Sequence, residues 1–197
     1  MTGNSTRERI IEVADRLIYE RGYEHTSFAD IAAGVKISRG NFYHHFKTKD
    51  EILDTVIERR LMTTRHLLDE WEMTGETPAA RICCFVRILV TNRTKIMQFG
   101  CPVGTLAGEL TRLGHRSSTR ASALFSLFRE WLCRQFEQLG RAEDADELAM
   151  ELLAWSQGVA TLASALRDEA FLEREVERMC EWVKTGKENV PCGKELD

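Results

Sequence analysis

The sequence predicts an all-α protein. Apolar residues recur every three or four positions through most of the 197-residue chain, which is the period of an amphipathic helix. Strands have little support, because β-branched alternation is absent and only three prolines, Pro78, Pro102 and Pro191, interrupt the chain. With 43% hydrophobic and 29% charged residues, the composition is that of a folded protein with a buried core.

Three short helices are predicted at the start of the chain. The first covers residues 7–21, where apolar side chains recur at helical spacing and Gly22 supplies a stop. Ser27, followed three residues later by Asp30, resembles a capping box that opens a second helix. Ser38 caps a third, very short one. Only a few residues separate the second and third helices, and this spacing is typical of a helix-turn-helix.

Four further helices are predicted in the middle of the chain. Thr48 and Glu51 match the capping-box pattern fully and start the first of them, which breaks at the sequence EMTGETP. Pro78 suits the first turn of the next helix, and Gly100-Cys101-Pro102 interrupts the periodicity and restarts it. The three helices after the one at Thr48 are expected over residues 79–98, 102–113 and 117–139.

Two helices with long apolar stripes are predicted near the end. The first carries a heptad-like seam made of Leu148, Leu152, Trp155, Val159, Leu162 and Leu166. The second carries Leu172, Val176, Met179 and Val183. Small residues lie between the bulky ones of the first helix, so it can bury one face in its own domain and another against a partner. Residues 186–197 mix Gly, Pro and charges, which predicts a mobile tail.

Charge is unevenly distributed along the chain. The whole sequence carries a net charge of −4, whereas residues 1–50 hold eight Lys/Arg and seven Asp/Glu. Within them, residues 36–49 combine four Lys/Arg with two His and contain no carboxylate. This segment is a local basic patch, which is typical of a nucleic-acid contact. A solvated basic face on an ordinary helical bundle is the alternative.

Other chemistry has little support in the sequence. There is no Ser/His/Asp order, metal-ligand spacing or Gly-rich phosphate loop, so we expect no enzyme activity, no cofactor and no metal site. The six cysteines form no CxxC pair and are interpreted as reduced thiols or small buried side chains. The chain has neither an apolar run long enough for a membrane span nor a secretory core near residue 1, which predicts a cytoplasmic protein.

The segment SRGNFYHHFKTKDEIL has the parts of a DNA-reading helix. A short helix with small residues at its start can enter a major groove with its first residues nearest the base edges. Gly40 leaves room for close approach, Arg39 can bond a guanine edge or a phosphate, and Asn41 can pair with adenine. Phosphate contacts beside the groove are expected from Tyr43, His44, Lys47 and Lys49.

The segment TSFADIAAGVKISRGNFYHHFKTKDEIL, followed by a longer helical region, resembles the TetR family of bacterial one-component transcriptional regulators. The resemblance is close over residues 7–55, where FYHHFKTKDEIL reproduces the end of the family's third helix and the start of its fourth. It implies DNA contacts from Ser27, Ser38, Arg39, Gly40, Asn41, Tyr43, His44 and Lys49. At the turn position where the family usually has Gly this sequence has Lys36, which leaves the turn conformation and a Lys36 phosphate contact open.

The resemblance also implies how the rest of the chain works. Family members are usually dimers whose last two large helices form a four-helix bundle, which implies a homodimer through helices near residues 145–167 and 171–184. Middle helices would line a pocket for a small-molecule effector, and its apolar candidates are Phe85, Met97, Phe99, Cys101, Leu106, Phe128, Trp131 and Trp155. The alternative is that these residues are ordinary core side chains.

Cys101 is also a candidate for a reactive thiol. Gly100-Cys101-Pro102 places its thiol at a helix start, where unpaired N–H groups favour a thiolate. GCPVGTLAGEL also resembles a TetR subgroup that includes electrophile- and oxidant-responsive repressors. One hypothesis is that Cys101 senses an electrophile in the pocket, and the other is a structural role in a helix junction.

These patterns predict a helix-turn-helix DNA-binding domain over residues 1–50 and a helical effector-binding and dimerisation domain over residues 51–185. The predicted function is a dimeric repressor that a small-molecule effector releases from a palindromic DNA operator. The alternatives are an all-helical ligand carrier or enzyme with an incidental basic segment, and a protein–protein adaptor.

Overall fold

A computed structural model describes residues 5–185, and these residues form ten helices with no strand, which confirms the all-α prediction. The helices are α1 (Thr6–Arg21), α2 (Phe28–Val35), α3 (Arg39–His45), α4 (Lys49–Thr74), α5 (Pro78–Thr91), α6 (Arg93–Phe99), α7 (Pro102–Arg112), α8 (Ser118–Gln138), α9 (Ala145–Leu166) and α10 (Glu169–Thr185).

The capping signals at the starts of α2 and α4 form different contacts. Ser27 Oγ accepts the Asp30 N–H at 3.2 Å and Asp30 accepts the Ser27 N–H at 2.9 Å, which is a reciprocal capping box. Thr48 Oγ1 accepts the Glu51 N–H at 3.1 Å, but the Glu51 carboxylate accepts from the Lys47 N–H at 2.8 Å. The full box predicted at Thr48 is therefore wrong, because the carboxylate reaches one residue further back.

Residues 79–98, predicted as one helix, form two. Helix α5 ends at Thr91 and α6 begins at Arg93. Between them Asn92 has φ −102° and ψ 12°, and its side-chain amide donates to the Ile88 carbonyl at 3.1 Å. An Asn side chain that bonds a nearby backbone carbonyl competes with helical pairing, which explains a break that apolar periodicity does not indicate.

Two clusters of buried side chains hold the helices together. The first joins α1, α2 and α3 to the first half of α4, and it includes Leu110 of α7 and Leu124 of α8. The second, which we call the distal core, lies among α5, α8, α9 and α10 around the fully buried Trp131. Helix α4 is continuous from the first cluster to Leu68 in the distal core. Residue 51 therefore lies inside α4, and the domain boundary predicted between residues 50 and 51 stays a prediction.

The apolar stripes of the last two helices pack mainly into the distal core. On α9, Leu152 and Val159 are buried, and on α10 the whole stripe Leu172, Val176, Met179 and Val183 is buried. Leu162 and Leu166 of the predicted seam are instead exposed. The seam splits between inside and outside because a straight α-helix rotates steadily away from a strict heptad repeat.

Among the helices of residues 5–185, none combines the length and the apolar character that a bilayer crossing requires. The predicted mobile tail, residues 186–197, lies outside the described residues.

Candidate nucleic-acid interface

Two phenylalanines hold α3 against the first core cluster. Phe42 is 1% exposed, and its ring centre lies 5.0 Å from that of Phe28 on α2. Phe46, just after α3, is fully buried, and the Arg7 guanidinium lies 4.8 Å from its ring centre. Because both aromatic anchors face the protein, the opposite side of α3 faces solvent.

The solvent-facing side of α3 collects the predicted DNA contacts. Ser38 accepts the Asn41 N–H at 3.3 Å and so caps the helix start. A Cβ at Gly40 would meet nothing within 4 Å, so this end of α3 is open to an approaching nucleic-acid backbone. The exposed residues here, which we call the reading face, are Ser38, Arg39, Gly40, Asn41, Tyr43 and His44. Their side chains include two hydroxyls, an amide, a guanidinium and an imidazole, which can hydrogen-bond to the donors and acceptors of base edges and to phosphates.

The predicted DNA contacts on either side of α3 differ in exposure. Ser27 and Lys47 are exposed, and the Lys47 ammonium donates to the Tyr43 carbonyl. Lys49 is half-buried: its ammonium donates to the Glu24 carbonyl at 3.2 Å and lies 4.1 Å from the centre of the Tyr23 ring. Burial lowers the pKa of Lys49. Its charge therefore braces the loop between α1 and α2, and its DNA contact stays a prediction.

Lys36 forms the turn between α2 and α3 in a left-handed conformation, with φ 61° and ψ 47°. The Ile37 N–H donates to the Ala32 carbonyl at 3.2 Å, which closes the end of α2. Arg9 of α1 donates to the Val35 carbonyl at 2.8 Å and satisfies the last turn. A lysine in this region costs about 1–2 kcal/mol relative to glycine. Its side chain is exposed beside the start of α3.

A polar cluster braces the start of α4 behind the reading face. The Tyr23 hydroxyl donates to the Asp50 carboxylate at 2.6 Å, and the same carboxylate lies 3.5 Å from His115 Nε2 and 3.3 Å from Arg116 Nε. The hydrogen bond from Tyr23, with the nearby His115 and Arg116, holds the pKa of Asp50 below its usual value. The connection between α7 and α8 is thus tied to the helix that follows α3.

Glu109 of α7 holds the loop that follows α1. Its carboxylate accepts the backbone N–H of Tyr23 at 2.8 Å and that of Glu24 at 3.0 Å. Gly22 has φ +89°, and a Cβ there would lie 2.9 Å from the Glu109 carboxylate. Glycine is therefore required both for the backbone conformation and for the close approach.

A cleft of about 1130 Å³ opens beside Glu109, between the end of α1, the α6–α7 junction and α9. Three of the eight predicted pocket residues line it, namely Phe99, Cys101 and Leu106. The structure does not bring the other five to this cleft. Phe85, Phe128 and Trp131 are buried in the distal core, where the Phe85 and Phe128 rings lie 5.3 Å apart, and Met97 and Trp155 pack against it.

The cleft also has polar walls that the sequence did not indicate. Tyr19 of α1 donates its hydroxyl to the Gly100 carbonyl at 2.8 Å and lies edge-on to Phe99, with ring centres 5.5 Å apart. Gln157, Thr161 and Ser164 come from α9. No local pattern marks these residues, because they meet only when helices from distant parts of the chain pack together.

The free energy of unfolding should fall as the pH rises from about 10 to about 12. Burial raises the pKa of Tyr19 from its usual 10.0 to about 12, and burial together with the Asp50 hydrogen bond raises the pKa of Tyr23. In this window the unfolded chain loses phenolic protons that the folded chain keeps, so deprotonation favours unfolding. Urea denaturation at several pH values should show a shallower pH dependence for Tyr19→Phe. A dependence unchanged in that variant would contradict the assignment.

Comparisons with known proteins agree with this geometry. The model of "Bacterial regulatory proteins, tetR family" matches residues 10–56, and that of "Transcriptional regulator LmrA/YxaF-like, C-terminal domain" matches residues 78–178. An uncharacterized HTH-type transcriptional regulator in the lacX 3' region of Lactococcus lactis is 28% identical over 173 residues, covering 86% of this chain and 88% of that protein. The regulator TtgR of Pseudomonas putida is 27% identical over 191 residues, covering 92% of this chain and 89% of TtgR.

A solved structure of a TetR transcriptional regulator from Legionella pneumophila superposes on the chain with a TM-score of 0.82 at 26% identity, covering 92% of this chain and 98% of that one. The first family match spans the helix-turn-helix and its exposed reading face, and the second runs from α5 into α10. The chain therefore belongs to the TetR family of bacterial DNA-binding transcriptional regulators.

Proposed function

We propose that this regulator is a dimeric repressor whose two copies insert α3 into a palindromic operator and which a small-molecule effector releases from DNA. The observation that carries the proposal is the reading face, which is solvent-exposed and contains no carboxylate. Relatives with similar sequences are named repressors, among them NemR of Escherichia coli and KstR2 of Mycobacterium tuberculosis. This function involves no catalysis, cofactor or metal.

The proposed contacts divide into reading and positioning. Arg39 and Asn41 lie in the first turn of α3 and bond base edges, while Gly40 lets the duplex approach. The positioning residues bond phosphates, which supply affinity without sequence preference. They are Ser27, Lys36, Ser38, Tyr43, His44, Lys47 and Lys49.

Lys36→Gly should change both the stability of the turn and the binding of DNA phosphate, in opposite directions. We expect the free energy of unfolding to rise by up to about 1 kcal/mol, because glycine removes the left-handed cost of about 1–2 kcal/mol but loses about 0.5–1 kcal/mol more in backbone entropy on folding. Operator binding should weaken, and its dependence on salt should become shallower by about 1 in log–log slope per chain, since one phosphate contact is lost. Urea denaturation and salt-titrated fluorescence anisotropy measure the two effects. Lys36→Gln is the matched control, which should flatten the salt dependence without adding stability. An unchanged slope in both variants would show that Lys36 does not contact phosphate.

The proposed dimer surface is the exposed stripe of α9. Met150, Leu162 and Leu166 are 43%, 49% and 68% exposed, and Ala154 and Gly158 lie between them at intervals of four residues. A Cβ at Gly158 would meet nothing within 4 Å, so a partner helix can approach closely. Helix α10 buries its apolar stripe in the distal core and exposes charged residues, so it would border this surface through Glu173, Arg174, Glu177 and Arg178.

Leu162→Glu should weaken dimerisation by about tenfold or more, because a two-fold interface would bury two unpaired carboxylates. Sedimentation equilibrium measures the dimer dissociation constant, and operator affinity should fall with it. Arg65→Gln on the exposed side of α4, outside the proposed dimer surface, is a control for the same change of surface charge. A Leu162→Glu protein that dimerises like the unmodified chain would place the interface elsewhere.

The proposed effector site is the cleft beside Glu109. A ligand there touches α1, the α6–α7 junction and α9, and Glu109 lies in its wall while holding the backbone of the α1–α2 loop. Displacement of α7 would therefore move the support of the DNA-binding helices. A coupling of about 1–3 kcal/mol is enough for a 5- to 150-fold loss of DNA affinity, provided that the effector binds better to the conformation that does not bind DNA.

A gel-shift experiment tests the proposed function. The purified chain is mixed with duplex DNA from the region flanking its own coding sequence, and with a scrambled duplex of the same composition. We expect a specific complex of two chains per duplex, which competition by the scrambled DNA does not remove. If neither duplex shifts at low ionic strength, the repressor proposal fails, and a ligand carrier, an enzyme or an adaptor becomes the better interpretation.

A further inference from the structure

Two cysteines from distant parts of the chain meet in the distal core. Cys83 on α5 and Cys180 on α10 are 97 positions apart and are 4% and 5% exposed. Cys83 Sγ lies 3.9 Å from the Cys180 carbonyl oxygen, so the Cys83 side chain reaches α10 at Cys180 itself. Both thiols are free. The pair lies away from the reading face and from the cleft, and the proposed function uses neither residue.

Two cations flank this pair. Arg87 follows Cys83 by one turn of α5, and Lys184 follows Cys180 by one turn of α10. The hydrogen bond from Cys83, with Arg87 and Lys184, lowers the pKa of Cys180. The same hydrogen bond raises the pKa of Cys83, which acts as donor and keeps its proton. One sulfur is thus prepared as a nucleophile and the other as its hydrogen-bonded partner.

We propose that Cys83 and Cys180 are an oxidisable pair that a hydroperoxide converts into an intramolecular disulfide joining α5 to α10. In the first step the Cys180 thiolate attacks one peroxide oxygen, the O–O bond breaks, and Cys180 becomes a sulfenic acid while the leaving oxygen takes up a proton as water or alcohol. In the second step Cys83 sulfur attacks the Cys180 sulfur, the S–O bond breaks, and the Cys83 proton leaves with hydroxide as water. Two thiols are oxidised and one peroxide is reduced.

Other cysteines are less suited to this chemistry. Cys84 is the neighbour of Cys83, but consecutive side chains on a helix point about 100° apart. Cys133 lies 3.8 Å from the Glu137 carboxylate, and burial and this carboxylate raise the pKa of its thiol. Cys101 lies in the cleft, at the start of α7. Among the cysteines of residues 5–185, the α5–α10 pair is therefore the one best placed to form a disulfide on oxidation.

Oxidation of the reduced full-length chain with hydrogen peroxide at neutral pH tests the inference. Free thiols are then blocked, and proteolytic peptides are mapped by mass spectrometry under non-reducing conditions. We expect a Cys83–Cys180 cross-linked peptide as the main disulfide, formed to the same extent in Cys84→Ser. In the presence of dimedone, Cys83→Ser should accumulate a labelled sulfenic acid at Cys180, whereas Cys180→Ser should leave Cys83 unlabelled.

Arg87→Met supplies a second measurement that leaves both cysteines in place. We expect the disulfide to form at least about threefold more slowly, because the Cys180 thiolate loses a nearby positive charge. Arg93→Met is the matched control, since Arg93 pairs with Glu169 of α10 at 2.5 Å without involving the sulfurs. A main disulfide that excludes either cysteine, no disulfide while other thiols oxidise, or equal rates in the two arginine variants would overturn the inference.

Discussion

Replacing Arg39 and Asn41 together with alanine should weaken operator binding by about 2–6 kcal/mol, or roughly 30-fold to 10⁴-fold. Each side chain lies in the first turn of α3, is exposed, and is of a type that recognises a base edge bidentately. Each such pair contributes about 1–3 kcal/mol to the discrimination between right and wrong bases. The double variant should therefore bind operator and scrambled duplex with similar affinities.

Folding should be unaffected in the Arg39→Ala/Asn41→Ala protein, because neither side chain contributes to the first core cluster. Fluorescence anisotropy with the two duplexes, together with a thermal melt, measures both properties. Arg65→Ala/Asp69→Ala on the exposed side of α4, outside α3 and the proposed dimer surface, is the matched control and should keep full affinity. If both double variants bind like the unmodified chain, α3 is not the reading helix.

Phe42→Ala should lower the free energy of unfolding by about 3–5 kcal/mol, the usual cost of truncating a buried phenylalanine. The Phe42 ring is 1% exposed and packs on Phe28, so its removal leaves a cavity between α2 and α3. Operator binding should also be lost, although the ring itself is not on the reading face. The cause is indirect, because Phe42 is one of the two aromatic anchors, with Phe46, that hold so short a helix in place.

Tyr43→Ala is the control for Phe42→Ala, because it truncates an exposed aromatic side chain of the same helix. Tyr43 is adjacent in sequence and 46% exposed, so we expect a small change in stability together with weaker DNA binding. Urea denaturation followed by circular dichroism measures the difference between the two variants. Equal destabilisation by Phe42→Ala and Tyr43→Ala would contradict the placement of Phe42 as an anchor.

The helix-turn-helix was predictable from the sequence because its determinants are local. Ser27, Ser38 and Thr48 each accept a backbone N–H three residues on, as their spacing indicates, and Gly22 ends α1 with a positive φ. The left-handed Lys36 lies at the position where the sequence left the conformation open. These features depend on neighbours within a few residues, so apolar period and capping chemistry suffice to find them.

Neither the local break at Asn92 nor the features that depend on packing between distant segments were predictable from the sequence. Apolar periodicity did not indicate the break at Asn92, since it reports burial and not competition for backbone hydrogen bonds. The side of α9 that stays exposed depends on where α8 and α10 lie, so the seam at Leu162 could not be assigned to an interior or a surface. The same holds for the cleft, whose walls come from α1, α6, α7 and α9.

Whether α3 reads DNA as one of a pair is decided by the salt dependence of binding to the duplex upstream of the chain's own coding region. We predict a specific complex of two chains whose dissociation constant rises steeply with salt, with a log–log slope of several units because many phosphate contacts release counterions. The scrambled duplex should bind more weakly at every salt concentration. Equal binding to both duplexes, or a monomeric chain that binds neither at low ionic strength, would contradict α3 as one of two matched DNA-reading helices.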